Sequence, residues 1–183
     1  MKPLVLTSLF SALFATGCQQ MAPLDVVDEV DLERFSGDWY VIAHIPTWPE
    51  RHATEAIENY QLDADGTIAT TFTFIHEETG EAEKMTATGF PDEETNNAVW
   101  GMQFIWPIKA DYRVVYLDNA YNHTVIARQR RDYVWIMART PTMDPDLYQE
   151  LVQSIAAMGY NIDELRVVPQ DKNAQAVQSA AEN

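Results

Sequence analysis

Side chains suited to catalysis are few and scattered in this sequence. The four histidines, at positions 44, 52, 76 and 123, do not have the spacing of metal ligands, and no Gly-x-Ser-x-Gly sequence marks a nucleophilic serine. We therefore expect no catalytic residues, no metal site and no cofactor. The one cysteine, Cys18, follows an apolar leader, where its thiol is suited to covalent modification rather than to catalysis.

The leader ahead of Cys18 has the form of a secretory signal. A mostly apolar stretch from Leu4 to Phe14 is too short to span a bilayer. The small residues at 15–17 before Cys18 resemble the lipobox of bacterial lipoproteins, with Ala15 where Leu is usual, and Gln19 is similar to the outer-membrane sorting signal. The resemblance implies lipidation at Cys18; the alternative is an ordinary buried cysteine. We expect a signal peptide over 1–17, a lipid-anchored flexible tether over 18–33 and a flexible tail over 169–183.

Acidic residues outnumber basic ones by 28 to 12, for a formal charge of −16. No Lys- and Arg-rich run is present to follow a phosphate backbone, so we expect no nucleic-acid binding. The simplest interpretation of the acidity is solubility.

The chain from residue 34 to 168 reads as one domain of short strands. Turn residues separate eight strand-like runs, with no connection long enough for a crossover helix, so successive strands are expected to pair antiparallel. After the last run, Asp144 and Pro145 start an amphipathic helix over about 145–158. The predicted strands are 38–45, 55–62, 67–75, 83–90, 98–106, 111–117, 123–128 and 132–139.

Alternation along the strands predicts which side chains face inward. The predicted fifth strand carries Trp and Met side chains on one parity, and comparable aromatic stripes follow on its neighbours. These stripes form either a solid core or the wall of a cavity for an apolar ligand. The candidate ligand-binding residues are Phe72, Phe74, Trp100, Met102, Phe104, Trp106, Tyr112, Val114, Tyr116, Trp135 and Met137.

Two motifs lie at the ends of the strand region. Gly37-Asp38-Trp39-Tyr40 opens it and a run ending in Arg139 closes it, and we expect the Arg139 guanidinium to stack on the Trp39 indole. With the turn from Asp118 to Tyr121, these motifs resemble the lipocalins, and among them the lipid-anchored outer-membrane lipocalins of bacteria, which are similar to apolipoprotein D. The resemblance covers about residues 31–168. Its structural motif residues are Gly37, Trp39, Asp118, Tyr121 and Arg139.

The resemblance implies an all-β fold: an eight-stranded antiparallel up-and-down barrel with a C-terminal helix packed outside. It also implies a fatty acid, lysophospholipid or similar amphiphile as ligand, held for storage or transport at the outer membrane, on its periplasmic face. The alternatives are a lipocalin-fold enzyme that acts on a bound lipid and an envelope structural protein with a packed barrel. A homodimer is left open.

Basic residues fall in turns expected to surround the open end of such a barrel. They are either ordinary solvated charges or a rim that pairs with a phosphate or carboxylate headgroup. The candidate rim residues are Arg51, Lys109, Arg128, Arg130 and Arg131.

Overall fold

The computed structural model describes residues 21–170, and a closed sheet dominates it. The strands are β1 (Gly37–Ile45), β2 (Ala53–Leu62), β3 (Ile68–His76), β4 (Ala82–Pro91), β5 (Val99–Ile105), β6 (Ile108–Leu117), β7 (His123–Ala127), β8 (Val134–Ala138) and β9 (Arg166–Val167). Each of the first eight pairs antiparallel with the next, and β1 pairs with both β2 and β8, which closes the barrel. The expected eight-stranded barrel is confirmed.

The short strand β9 is an addition to the barrel. It pairs with Ala43 and His44 in the second half of β1, beyond the residues of β1 that pair with β2. Gln170, at the end of the described chain, donates hydrogen bonds to Val41 and Ala56 carbonyls. The chain therefore stays bound to the barrel as far as residue 170, past the predicted start of the tail.

A helix packs on the outside of the barrel, as the sequence predicts. The helices are α1 (Leu32–Phe35) and α2 (Pro145–Ala157), with 3-10 turns at Trp48–Glu50, Glu93–Thr95 and Ile162–Glu164. The Asp144 side chain caps α2 by accepting hydrogen bonds from the N–H groups of Asp146 and Leu147. Leu151 and Ile155 of α2 are buried in an outer cluster with side chains of β1, β7 and β8. This packing fixes the helix beside the wall.

The barrel has a floor and an open end, defined by its connections. The floor is formed by the start of β1 and the β2–β3, β4–β5 and β6–β7 connections, while the open end is formed by the other four. Phe35, Trp39, Tyr60 and Trp100 are fully buried near the floor and contact one another through their rings. The lower barrel is therefore solid.

Residues 22–31 form an N-terminal strap along the barrel wall, and the prediction of a flexible tether reaching residue 33 is wrong for this part. The strap begins at the open end, where the Ala22 carbonyl accepts from Gln129 and Arg131, and reaches the floor, where the Asp31 N–H donates to the Tyr121 hydroxyl. Leu24 and Val30 are buried. The acidic residues between them suggested disorder, but they face solvent while the apolar ones dock. The predicted signal peptide and Cys18 lie outside the described residues.

Tyr160, which follows α2, braces the β7–β8 connection. Its hydroxyl accepts a hydrogen bond from the Arg128 N–H at 2.8 Å and lies 3.0 Å from the carbonyl oxygens of both Arg128 and Tyr133. One buried side chain thus joins the two ends of this connection to the helical segment. Within residues 21–170, no helix is both long and apolar enough to cross a membrane.

Candidate ligand-binding site

Trp39 and Arg139 close the floor in the contact that the sequence predicts. The Arg139 guanidinium lies 3.8 Å from the centre of the Trp39 ring. It also donates to backbone carbonyls of Asp38 at 2.7 Å and Arg34 at 2.8 Å, as well as to those of the two residues after Arg34. The Trp39 indole N–H donates to the Phe35 carbonyl at 2.9 Å. These bonds tie the first strand, the last strand and α1 into one closure.

Gly37 allows the chain to pass beneath this guanidinium. Its φ of +97° is in the left-handed region, and a Cβ at this position would lie 3.4 Å from Arg139 Nη1. A glycine at the start of β1 therefore serves both the backbone turn and the close approach of Arg139.

The β6–β7 turn supports the floor from the side. Asp118 Oδ2 lies 2.6 Å from His123 Nδ1, and the Asp118 carbonyl accepts from the Tyr121 N–H. The Arg34 guanidinium lies 3.9 Å above the Tyr121 ring. Burial acts to raise the pKa of Asp118, but hydrogen bonds from Asn122 and His123 outweigh it and hold that pKa below its usual value. Asp118 and Tyr121 are therefore structural.

Above the floor, the barrel holds a small cavity of about 80 Å³ that opens to solvent at its upper end. It reaches the open end between the Trp48–Glu50 turn and the β7–β8 connection. Its exposed surface is mainly apolar, although half of the lining residues carry a polar group. The apolar residues are Phe72, Met85, Met102, Phe104, Ala110, Ile126, Trp135 and Met137, and the polar ones are Thr47, Glu50, Glu58, Tyr60, Asp111, Tyr112, Arg128 and Tyr133.

The structure places six of the eleven candidate ligand-binding residues in this wall: Phe72, Met102, Phe104, Tyr112, Trp135 and Met137. Phe74, Trp100 and Val114 are buried in the interior cluster but are not part of the cavity wall. Trp100 stacks on Tyr112 at 5.0 Å between ring centres. These three residues support the wall from behind or below.

Trp106 and Tyr116 do not face the interior, and the predictions for them are wrong. Trp106 is 82% exposed in the β5–β6 hairpin, where a register shift after Met102 interrupts the alternation. A second shift, between Val114 and Tyr116, turns Tyr116 toward the outer cluster beside α2. A β-bulge moves every later side chain of its strand to the opposite face.

The five candidate rim cations do not form a ring around the opening. Arg128 lines the cavity, but it pairs with Asp132 at 3.4 Å, and the exposed Arg130 lies 3.6 Å from the same carboxylate. Arg131 donates to the Met158 and Ala22 carbonyls on the outside.

The other two candidates are also turned away from the cavity wall. Lys109 places its ammonium 3.3 Å from the Phe90 ring centre on the outer face. Arg51 is exposed after the Trp48–Glu50 turn. The headgroup rim expected from the sequence is therefore reduced to Arg128.

Sequence reasoning missed the three carboxyl residues that line the cavity, Glu50, Glu58 and Asp111. Glu58 lies opposite Trp39 and Phe72, so it points into the barrel with them. Burial, reinforced by the charge of Glu50, raises its pKa to about 8, although a hydrogen bond with Tyr60 acts to lower it. Glu58 and Tyr60 are two residues apart on β2 and therefore face the same side of the sheet, which could have identified Glu58 as an inward residue. A charged residue in a strand is, however, ordinarily assigned to the solvent side.

Glu50 is fixed at the top of the cavity by several neighbours. It accepts hydrogen bonds from the Thr47 hydroxyl at 2.6 Å and the Trp135 indole N–H at 3.0 Å. His44 Nδ1 lies 3.5 Å from Glu50 Oε2. Deeper in the barrel, the Tyr60 and Tyr112 hydroxyls share a hydrogen bond of 2.7 Å, and burial raises the pKa of both well above its usual value. The cavity thus combines apolar walls with an acidic, hydrogen-bonded interior.

Known proteins resemble the chain over most of its length. It is 30% identical to temperature-induced lipocalin-1 of Arabidopsis thaliana over 169 residues, covering 87% of this chain and 90% of that one. It is 26% identical to the outer membrane lipoprotein Blc of Citrobacter freundii, covering 91% and 96% of the two chains. The crystal structure of the major allergen Per a 4 from cockroaches matches with a TM-score of 0.65 at 16% identity, covering 85% and 99%.

These similarities agree with the geometry of the barrel and its floor. A family model described as a lipocalin-like domain matches residues 30–170, which is most of the chain. The chain belongs to the lipocalin-like family.

Proposed function

We propose that this protein is a lipid-anchored lipocalin that binds one amphiphilic molecule, such as a fatty acid or a lysophospholipid, for storage or transport at the outer membrane. The observation that carries the proposal is the apolar cavity, closed at the floor by Trp39 and Arg139 and open at the other end. A pocket of this kind binds by burying apolar surface of its ligand, while a few polar groups orient that ligand. The proposal is for binding without turnover.

The path of the N-terminal strap supports the anchored arrangement. The strap begins at the open end, beside Gln129 and Arg131. Cys18 precedes it by only a few residues, so a lipid on Cys18 would hold the open end close to the bilayer. The relative Blc is named an outer membrane lipoprotein, which agrees with this location.

Exposed apolar side chains occupy the same end. In the β5–β6 hairpin, Ile105 is 72% exposed and Trp106 is 82% exposed, and Trp48 of the β1–β2 connection is 73% exposed. Tryptophan favours the boundary between lipid and water, because its ring is apolar and its N–H is polar. We infer that the open end faces the bilayer and takes its ligand from there.

The deciding experiment identifies what the barrel holds. Protein purified without detergent is examined by native mass spectrometry, and the extracted ligand is identified. We expect one amphiphile per barrel, and we expect Met102→Trp, which fills the cavity from its wall, to lower occupancy strongly. The matched control is Tyr116→Trp on the outer face, which is expected to retain the ligand. An empty barrel that also takes up no added fatty acid or lysophospholipid would contradict the proposal.

A further inference from the structure

The interior of the cavity carries carboxyl groups at a depth where a ligand would be surrounded by protein. Glu50 reaches it from the turn at the open end, and Glu58 reaches it from the middle of β2. The two groups are close enough to interact, since the charge of Glu50 adds to the effect of burial in raising the pKa of Glu58. A ligand in this cavity therefore meets these two carboxyl groups, besides that of Asp111, which is paired with Arg113.

Basic side chains around the cavity are engaged with other partners. Arg128 pairs with Asp132 and lies 5.1 Å from the Tyr133 ring centre. Arg113 pairs with Asp111 at 2.9 Å. Among the described residues, no ion pair joins Arg128 or Arg113 to Glu50 or Glu58, so these two carboxyl groups keep the capacity to bind a cation.

A buried histidine with unused hydrogen-bonding capacity lies beside this pair. His44 is fully buried, neither of its ring nitrogens has a hydrogen-bond partner, and Nδ1 is 3.5 Å from Glu50 Oε2. It lies opposite Trp135 in the β1–β8 pairing, so its side chain points inward with that indole. Buried polar atoms in proteins ordinarily have hydrogen-bond partners, so the two ring nitrogens of His44 have hydrogen-bonding capacity that a ligand can use.

Aromatic rings share the wall with these acids. Phe72 lies next to Glu58 on the neighbouring strand, and Tyr133 and Trp135 line the same cavity. Carboxylates and the faces of aromatic rings both attract an organic cation, whereas the same carboxylates repel an anion. The chemistry of the wall thus favours positive charge on the ligand.

We propose that the cavity selects amphiphiles whose polar group is a protonated amine, held by Glu58 and Glu50 with the apolar part against Phe72, Met102 and Met137. This inference rests on the proposed function, because it requires that the cavity bind an amphiphile. It narrows the ligand class of the proposed function. We expect alkylamines to bind more tightly than neutral alcohols, and alcohols more tightly than the fatty acid anions included in that class.

Amine binding is coupled to a proton on Glu58. With a pKa of about 8, Glu58 carries its proton at neutral pH, and a neighbouring ammonium favours the ionised form, so binding releases a proton. The groups that face Glu58 or share its cavity are Glu50 and His44, Tyr60 on its own strand, Asp111 and Tyr112 of β6, and Arg128 and Tyr133 beyond β7. Affinity for an amine therefore rises between pH 6 and 8, by up to about tenfold per pH unit.

Three ligands of equal chain length test the proposal: decylamine, decanol and decanoate, each displacing a fluorescent apolar probe from the purified protein at pH 6, 7 and 8. We expect decylamine to bind at least about tenfold more tightly than decanol at pH 8, a difference of roughly 1.4 kcal/mol. Calorimetry in buffers of different ionisation enthalpy is expected to detect close to one proton released per amine bound at pH 7. Decanol affinity is expected to be independent of pH.

The variant Glu58→Gln removes the acid and keeps its shape. We expect it to lose the preference for decylamine and the pH dependence, while decanol affinity changes less than about twofold. Glu83→Gln is the matched control, because it removes the same charge from an exposed position on β4. Glu50→Gln gives a second, independent measure of the same preference.

The outcomes separate the two proposals. If decanol and decanoate bind as tightly as decylamine, or if Glu58→Gln behaves like Glu83→Gln, the amine selectivity is refuted and the proposed function stands. If none of the three ligands displaces the probe and no ligand co-purifies, both proposals are refuted. Proton release on amine binding is measured on the unmodified protein, so the test does not depend on the folding of any variant.

Discussion

Glu58 makes the stability of the folded barrel depend on pH. It is an acid in the middle of a strand, facing the interior, with a pKa raised to about 8 mainly by burial. In the unfolded chain this carboxyl ionises near its ordinary value, about 4.3. Between these two pH values the folded protein holds a proton that the unfolded chain has lost. Glu58 therefore lowers the free energy of unfolding progressively as the pH rises through this range.

Replacing Glu58 by Gln is expected to remove this pH-dependent decrease in the free energy of unfolding. Relative to the unmodified protein, the variant gains stability between pH 5 and 8, by up to about 1.4 kcal/mol per pH unit. The measurement is urea unfolding at pH 5, 6.5 and 8. Glu83→Gln, exposed on β4, is expected to show no such trend. A difference between Glu58→Gln and the unmodified protein that does not change with pH would contradict the assignment.

Residues at the barrel floor were easier to predict than those in the cavity. Gly37, Trp39 and Arg139 lie in sequences whose local chemistry is distinctive, and the structure places the cation of Arg139 over the Trp39 ring. Glu58 and Glu50 lack such a signal, because a lone Glu within a strand or turn is ordinarily solvated. Their burial depends on which face the strand turns inward, and that is decided by neighbouring strands.

The N-terminal strap behaves as a structural element although it has almost no regular secondary structure. Besides the contacts at its two ends, its backbone pairs with that of the barrel, because the Val27 N–H donates to the Val114 carbonyl and the Val30 N–H to the Asn96 carbonyl. Val30 is also fully buried in the interior cluster. A segment held in this way contributes to the stability of the domain.

Val30→Ala is therefore expected to destabilise the protein by about 2 kcal/mol, since it removes buried apolar groups and leaves a small cavity. Urea unfolding monitored by tryptophan fluorescence measures the change. Glu29→Ala, at the exposed neighbouring position, is the matched control and is expected to change stability by less than about 0.5 kcal/mol. Equal effects of the two substitutions would mean that the strap is a loose tether.

The number and order of the strands were predictable because turn residues separate them at regular intervals. The β-bulges were not, because a bulge depends on the pairing between two strands rather than on the sequence of one. The register shift near Tyr116 reversed the predicted direction of that side chain, and the shift between Val41 and Ala43 turns His44 inward. The errors in the candidate site therefore follow the irregular positions of the sheet.

At the scale of the whole molecule, the start of the strap and the mouth of the cavity lie at one end. The strap starts at the open end, and the exposed hairpin side chains Ile105 and Trp106 lie there as well. The floor, with its solid aromatic packing, is at the other end. Under the proposed function, this polarity turns the open end toward the lipid surface.

The orientation predicts membrane binding that does not require the anchor. Protein carrying Cys18→Ser is mixed with zwitterionic phosphatidylcholine vesicles, and the bound fraction is measured by sedimentation. We expect Ile105→Ser with Trp106→Ser to lower the partition coefficient about tenfold, since both apolar side chains lose contact with lipid. Val167→Ser, which changes an exposed apolar residue on the side wall, is the control. An equal loss in both proteins would show that the open end has no preference for the bilayer.

Tyr160 has a consequence for how the opening can deform. Because its hydroxyl holds the Arg128 and Tyr133 backbone at the two ends of the β7–β8 connection, that part of the opening is stiff and its motion is coupled to that of α2. The neighbouring Trp48–Glu50 turn follows the end of β1, where Ile45 pairs with Val134 of β8, and the Trp135 indole N–H donates to Glu50 across the gap. A ligand wider than the opening would therefore have to break this hydrogen bond before the turn could move away from the braced connection. The Glu50–Trp135 hydrogen bond is then the contact that resists widening of this part of the opening.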